Sequence, residues 1–142
     1  MSYSSQASII INVPLEKVWD GLTKPDLVKQ YFFGTNLVTT WEVGTPIVFG
    51  GEWEGKSYED KGTVLEYVPN ETLSYDYYSP MGGLEDIPEN YQIIRYTVEE
   101  TADGIKTTID QSNSPSEDVA NHSTENWNKV LVALKVLIEK GE

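Results

Sequence analysis

Hydrophobic residues near the end of the chain recur with the period of an α-helix. They fall at i, i+3, i+4, i+7, i+10 and i+11, so they share one helical face: Trp127, Val130, Leu131, Leu134, Leu137 and Ile138. Upstream, Ser114, Pro115 and Glu117 match a helix start, with a capping serine, a proline at the first helical position and a glutamate three residues after the cap. The pattern predicts one long helix over residues 114–140.

The first half of this predicted helix carries smaller side chains than the second half. Its part of the apolar face consists only of Val119, Ala120 and Ser123. Protein interiors are close-packed, so small side chains on one element leave space unless a neighbour fills it. We therefore expect the helix to pack tightly near its end and to leave room for a cavity near its beginning.

Most of the chain before this helix has the composition and alternation of β-strands. Strands are predicted at residues 7–13, 36–42, 46–53, 57–68, 72–79, 91–99 and 105–111. The turns expected between them are Val43-Gly44, Pro69-Asn70 and Asp103-Gly104.

Two short helices are predicted between the first strand and the second. The first follows Pro14 and has apolar residues at helical spacing, namely Leu15, Val18, Trp19 and Leu22. The second is capped by Thr23 in this interpretation and ends at Gly34. The whole order predicts an α+β fold, in which a curved antiparallel sheet of six to seven strands is covered on its concave face by the long C-terminal helix.

Composition narrows the chemistry that this single predicted domain, residues 1–142, can perform. The chain has no cysteine and one histidine, His122, which excludes disulfides, cysteine-based redox sites and multi-histidine metal sites. An acidic group in the 52–60 region could hold a cation only through oxygen ligands, and the alternative of a solvated acidic loop is favoured: Glu52, Glu54, Glu59 and Asp60. We expect no cofactor and no metal.

The formal net charge of −13 argues against nucleic acid and anionic membranes as partners. No apolar stretch approaches the roughly 20 residues that a membrane-spanning helix needs. The N-terminal residues also lack the basic and apolar regions of a signal peptide. A cytoplasmic location without membrane insertion is expected.

Several short motifs, in the order in which they occur, resemble one known family. They are Val13-Pro14 through Val18-Trp19 and Leu22, Val43-Gly44, Gly62-Thr63-Val64 with Tyr67-Val68-Pro69, residues 73–77, and Trp127 with Leu131, Leu134-Lys135 and Leu137. The set resembles the Aha-type domains, named for activators of a heat-shock protein ATPase. These belong to the helix-grip superfamily of START-related lipid-transfer domains, polyketide cyclases and the major birch pollen allergen.

The resemblance implies a cavity between the sheet and the long helix, commonly used for apolar or amphipathic small molecules such as lipids and aromatic polyketides. It does not imply one reaction, because one fold hosts many functions. A small-molecule binding domain is the leading hypothesis. A protein-interaction or co-chaperone-like module is the alternative, and a cavity-based hydrolase or cyclase is third, so that catalysis is not favoured and no catalytic residue is assigned.

Aromatic residues on the predicted inner strands are the candidate cavity walls. Alternation along residues 73–78 puts Leu73, Tyr75 and Tyr77 on one face, which we assign to the interior. Ordinary core packing is an equally good explanation for them. The candidate ligand-binding set is Trp19, Phe49, Tyr75, Tyr77, Tyr96, Ser123 and Trp127, and residues 81–87 form a candidate gate.

Two further side chains are candidate polar anchors. Arg95 could clamp a carboxylate if it faced the cavity, but alternation favours an outward arginine paired with a carboxylate such as Glu66. His122 could act as an anchor or a base, although a histidine in so polar a helical segment is more often exposed to solvent. Val132 and Val136 form a small exposed apolar patch, so the protein is expected to be a monomer or a weak dimer.

Overall fold

The computed structural model describes residues 3–31, 35–53, 55–79, 85–114 and 116–141. In chain order the elements are β1 (Tyr3–Ile11), α1 (Leu15–Thr23), α2 (Pro25–Tyr31), β2 (Asn36–Val38), β3 (Pro46–Trp53), β4 (Lys56–Val68), β5 (Thr72–Tyr77), a 3-10 turn (Pro88–Asn90), β6 (Gln92–Thr101), β7 (Gly104–Ser114) and α3 (Glu117–Gly141). This order confirms the predicted α+β helix-grip architecture.

The strands form one antiparallel sheet in the order β1-β7-β6-β5-β4-β3-β2. Pairing of β1 with β7 brings the first and last strands of the chain together. The helix α3 runs along β1, where Ser5 Oγ donates a hydrogen bond to the carbonyl of Ala120 at 2.6 Å and Lys135 Nζ donates to the carbonyl of Ile10 at 2.8 Å. These bonds fix the helix over the inner face of the sheet.

The core lies between this inner face and the three helices. The predicted apolar stripe of α3 is confirmed for five of its six positions, which are buried: Trp127, Val130, Leu131, Leu134 and Ile138. Gly21 of α1 lets the two helices come close, because a Cβ there would lie 2.8 Å from Leu134 Cδ1. The second half of α3 is therefore packed against α1 as well as against the sheet.

A second glycine explains one of the sequence motifs. Pairing between β4 and β5 shifts its register between Val64 and Glu66. Just before this irregularity, a Cβ on Gly62 would lie 1.7 Å from the carbonyl oxygen of Asp76, which no side chain can tolerate. The backbone nitrogen of Thr63 also donates to Asp76 Oδ1 at 2.7 Å. Only glycine allows the two strands to pass this closely.

The predicted start of α3 is wrong by two residues, because the cap is Ser116 and not Ser114. Ser114 is the last residue of β7 and is buried, whereas α3 begins at Glu117. Ser116 is the capping residue, because its Oγ accepts a hydrogen bond from the nitrogen of Val119 at 3.2 Å and its carbonyl accepts from Ala120 at 3.0 Å. Ser114 and Ser116 can both serve as a helix cap, but Ser114 is part of β7 and Ser116 caps α3.

Two other predicted boundaries are also wrong. Thr23 does not cap α2, since it ends α1 and its hydroxyl donates to the carbonyl of Trp19 at 2.9 Å. The second strand covers only Asn36–Val38 instead of residues 36–42. Trp41, with a positive φ of 61°, breaks the extended conformation there, and the indole donates to the carbonyl of Thr23 at 3.0 Å. The predicted helix end at Gly34 lies outside the described residues.

Within the described ranges, no helix is long and apolar enough to span a membrane.

Candidate functional site

A cavity of about 690 Å³ lies between the first half of α3 and the inner face of the sheet. Apolar and aromatic side chains from four elements form most of its wall: Phe49, Tyr75, Tyr77, Ile94, Trp127 and Val130. Ala120 and Ser123 are the small residues that the helix presents in this half, and Ser123 lines the cavity. This space lies beside the half of α3 that carries small side chains.

The aromatic rings of the wall contact one another in tilted and edge-on arrangements. Phe49 of β3 lies 5.3 Å from Tyr75 and 6.0 Å from Tyr77, measured between ring centroids. Behind them, Tyr96 is 5.9 Å from Tyr75 and 6.1 Å from Trp127, both with edge-on geometry. Such contacts fix the ring orientations, so one side of the cavity is a preformed aromatic surface.

Two buried tyrosine hydroxyls form a pair beneath this surface. The oxygens of Tyr75 and Tyr96 are 2.9 Å apart. Burial raises the pKa of Tyr96 to about 12, and burial together with the neighbouring Tyr96 raises the pKa of Tyr75 well above its ordinary value. Both phenols therefore stay neutral at physiological pH, and they serve as hydrogen-bonding partners of each other.

Asp60 is the polar group on the wall that sequence reasoning assigned wrongly. The acidic residues near it were interpreted as solvated, and Glu52 and Glu59 are indeed exposed. Asp60 is only 8% exposed and lines the cavity, where its Oδ2 accepts a hydrogen bond from the Tyr77 hydroxyl. Strand alternation in β4 turns Asp60 inward between the exposed Glu59 and Lys61, so interpreting the acidic residues of this region as one solvated group is wrong for Asp60.

A chain of side-chain hydrogen bonds forms another polar part of the wall. Trp127 Nε1 donates to Gln111 Oε1 at 2.6 Å, and Gln111 Nε2 donates to Gln92 Oε1. Gln92 and Gln111 line the cavity on β6 and β7, and neither was singled out from the sequence. The signal was weak, because a glutamine on a strand has no motif until its partner is known.

Exposed residues of α3 form the rim of the cavity. Val119, His122 and Lys129 line it and are exposed. His122 therefore stands at the opening and not deep inside. Within the described part of the chain, no hydrogen bond or ion pair holds the imidazole, so a positioned acid–base pair around His122 is missing from these residues.

The structure brings together five of the seven predicted wall residues: Phe49, Tyr75, Tyr77, Ser123 and Trp127. Tyr96 lies one layer behind them. Trp19 is buried elsewhere, on the inner side of α1. There its Nε1 donates to the Tyr67 hydroxyl at 3.2 Å, and the two rings are 5.7 Å apart. It is a core residue and not part of this wall, because α1 crosses the other half of α3.

Arg95 lies on the opposite face of the sheet from the cavity. It is exposed and its guanidinium pairs with Glu66 at 2.5 Å, which is the outward pairing that alternation favoured. Its neighbour in the sheet, Asp110, accepts from Gln6 at 2.7 Å. Arg95 and His122 are therefore separated by the sheet, so they cannot act on one ligand.

The candidate gate is described only at its end. Its residues 81–84 lie outside the described residues, and Ile87 is exposed. Asp86 forms an ion pair with Lys61 at 2.5 Å and accepts from the Tyr91 hydroxyl at 2.6 Å, which lowers the pKa of Asp86. This end of the segment is thus attached to β4 next to the wall residue Asp60.

The residues of this site that can carry charge do not form a metal centre. The ranges that the structure describes contain no group of three or more histidine, aspartate or glutamate side chains placed to hold an ion. What the arrangement offers instead is an aromatic wall, one buried carboxyl group, a glutamine pair and an exposed rim.

Comparison with known proteins places these features in a family. A family model, activator of Hsp90 ATPase homolog 1-like protein, matches residues 12–139. The solution structure of ChR145 from Cytophaga hutchinsonii is 40% identical, with a TM-score of 0.84, over 98% of this chain and 95% of that chain. Among curated proteins none is similar in sequence to this chain.

Two more distant structures share the fold alone. The Aha1 dimer from Colwellia psychrerythraea is 20% identical, with a TM-score of 0.75, over 99% of this chain and 98% of that chain. DynU16, a protein in the dynemicin biosynthetic locus, is 18% identical, with a TM-score of 0.80, over 98% of this chain and 48% of that chain.

Proposed function

This chain belongs to the family of activator of Hsp90 ATPase homolog 1-like proteins, and on that premise we propose that it binds a small apolar or amphipathic molecule in the cavity under α3. The observation that carries the proposal is the cavity of about 690 Å³, whose wall is aromatic and contains a few polar groups. Sites for small molecules are commonly concave, apolar and provided with a small number of polar anchors.

The size and the lining of the cavity favour a ligand with an aromatic or aliphatic body. A volume of this size suits a molecule of drug-like dimensions. Phe49, Tyr75 and Trp127 line it, and ring contacts among them and Tyr96 hold them in place. The exposed rim at His122 and Lys129 leaves a polar end of the ligand in contact with water.

Binding without catalysis is the form of the proposal that the geometry supports best. Hydrolase or cyclase chemistry needs a general base within hydrogen-bond reach of a second group. His122 lacks such a partner among the described residues, and Arg95 lies on the far face of the sheet. Burial raises the pKa of Tyr75 and of Tyr96, which disfavours the ionised form that either phenol would need to act as a base.

An amide-shift titration by NMR tests the binding function. Dodecanoate, naringenin and emodin represent lipids, flavonoids and aromatic polyketides. We expect at least one of them to give saturable shifts at Phe49, Tyr75, Ser123 and Trp127. The variant Ser123→Leu should lose these shifts, because the larger side chain occupies the cavity.

The matched control is Asn121→Leu, which places the same side chain on an exposed position of α3. It should bind as the wild type does. Absence of saturable shifts with all three compounds, or shifts confined to the outer face around Arg95, contradicts the proposed function.

A protein-interaction role is the second candidate. Val132 and Val136 are 54% and 58% exposed on the side of α3 that faces away from the sheet. The family description names an activator of a heat-shock protein ATPase, and an exposed apolar pair is one place where a partner could bind. Binding of Hsp90 that is abolished in Val132→Ser with Val136→Ser would support it, and absence of any complex with the wild type would contradict it.

A further inference from the structure

We propose that the ligand of the cavity carries a protonated amine, which the carboxylate of Asp60 binds against the aromatic wall. This inference rests on the proposed function, since it names the chemistry of the molecule that the cavity holds.

The first step is the environment of the Asp60 carboxylate. The residue is only 8% exposed, on a wall of the cavity. Its Oδ2 accepts from the Tyr77 hydroxyl, whereas its buried Oδ1 accepts no hydrogen bond from the described residues. A buried charge is costly unless a partner compensates it, and one neutral hydroxyl compensates it only in part.

The second step is the absence of a cationic partner within the described chain. The four ion pairs found there do not include Asp60. The adjacent Lys61 points to the other side of β4, where it pairs with Asp86. Lys129 lines the cavity but stands at the exposed rim, without an ion pair to Asp60. Among the described residues the carboxylate therefore has no cationic partner, and the proposal gives that role to the ligand.

The third step is the aromatic surface around the carboxylate. Phe49 lies directly opposite Asp60 in the pairing of β3 with β4, so the two side chains leave the sheet on the same face. The rings of Tyr75 and Tyr77 lie 5.3 Å and 6.0 Å from that of Phe49. Aromatic faces attract cations, and the attraction grows when water is excluded.

A protonated amine uses both features at once, with its N–H groups directed at the Asp60 carboxylate and its charge next to the rings. An alcohol can use only the hydrogen bond, and a carboxylate is repelled. The net charge of −13 adds long-range attraction for cations. An anionic ligand would have to depend on Lys129 and His122, whose exposure weakens any ion pair there.

Isothermal titration calorimetry with three phenethyl compounds tests the proposal. Phenethylamine, phenethyl alcohol and hydrocinnamate share one aromatic body and differ in the charge of the end group. We expect phenethylamine to bind roughly ten- to a hundredfold more tightly than phenethyl alcohol, as a hydrogen bond to a charged group implies. Hydrocinnamate should bind more weakly than both.

Two variants assign the preference to Asp60 and not to the overall charge. Asp60→Asn keeps the shape of the side chain and should reduce the preference for the amine to less than about threefold. Glu59→Gln removes the same unit of charge from the exposed neighbour on β4 and should preserve the preference.

The outcomes separate this inference from the function on which it rests. Equal binding of amine and alcohol, preference for hydrocinnamate, or an unchanged preference in Asp60→Asn overturns the inference, while binding of emodin, naringenin or dodecanoate in the cavity keeps the proposed function. If neither the three phenethyl compounds nor emodin, naringenin and dodecanoate bind, the inference and the proposed function are both overturned. If Asp60→Asn does not fold, Asp60→Ser, which also removes the carboxylate, takes its place, and an unchanged preference in that variant overturns the inference.

Discussion

The two halves of α3 cover the same sheet but with opposite results. In the second half, Leu131 and Leu134 are at most 1% exposed, and Gly21 of α1 lets the helices touch. In the first half, Ala120 and Ser123 face the sheet, and a cavity of about 690 Å³ lies beside them. The difference lies in side-chain volume and in the presence or absence of a second helix.

This contrast separates stability from binding within one helix. Buried leucines make many contacts, and each adds to the free energy of unfolding. Where the side chains of α3 are small, the aromatic wall borders a cavity in which it can contact another molecule. The first half of α3 therefore forms fewer side-chain contacts with the sheet, and a ligand in the cavity can supply contacts in their place.

The largest expected effect comes from a change in the packed half. Leu134→Ala should lower the free energy of unfolding by about 2 to 5 kcal/mol, because it removes a fully buried side chain that contacts α1. Urea unfolding measures it. Val132→Ala, on the exposed side of the same turn, should change it by less than about 0.5 kcal/mol. Equal effects of both changes would contradict the account of this half.

The second effect concerns the buried tyrosine pair behind the cavity wall. Tyr96→Phe should lower the free energy of unfolding by about 1 to 3 kcal/mol, since it leaves the Tyr75 hydroxyl without this partner. Because folding raises the pKa of Tyr96 to about 12, the wild type should lose stability as pH rises from about 10 towards 12.

The sign follows from the unfolded chain, whose tyrosine ionises near its ordinary pKa while the folded one stays neutral. Unfolding curves of wild type and Tyr96→Phe between pH 9 and pH 12 measure this, and the variant should show the weaker dependence. A steeper dependence in the variant would be inconsistent with a neutral buried pair.

Filling the cavity should separate the two properties. In Ser123→Leu the free energy of unfolding should change by no more than about 1 kcal/mol, because new contacts offset any strain. Ligand binding should be lost, as measured by the titration proposed above. A large loss of stability would show that the space next to Ser123 is smaller than 690 Å³ suggests.

The smallest effect is expected at the C-terminal end of the packed half. Glu139 accepts from the backbone nitrogen of Asn12 at 2.8 Å and from Lys135 at 2.6 Å, and these two bonds lower its pKa. The stability that they provide is present above the ordinary pKa of glutamate and is lost as pH falls through the lowered value. Glu139→Gln should therefore lower the melting temperature slightly at pH 7 and not at pH 2.

The fold could be predicted because its signals are local. The 3.6-residue period of α3 and the limits of β3 are visible in the sequence and are confirmed. The predicted boundaries are wrong where a residue fits two different elements equally well. Ser114 and Ser116 both fit a helix cap, and the register of β7 decides between them. Trp41 could continue a strand, yet its indole finds a partner on α1.

The site could be predicted only in outline. Alternation places Tyr75 and Tyr77 inward, and the small residues of α3 indicate the space above them. The polar members of the wall were missed, because Asp60 looks like its solvated neighbours, and Gln92 and Gln111 have meaning only as a pair. Trp19 and Trp127 each lie on the apolar face of a predicted helix, so the sequence does not distinguish their roles. In the structure, α1 places Trp19 against Tyr67 and away from the cavity.

The sequence by itself determined which faces are apolar, where the chain turns and which half of α3 has small side chains. Periodicity carries this information, because the direction in which a side chain points depends on its position within its own helix or strand. Only the tertiary structure decided that a carboxylate stands on an aromatic wall and that Gln92 and Gln111 form a pair beside it. Those facts depend on pairing between strands far apart in the chain, which no local pattern contains.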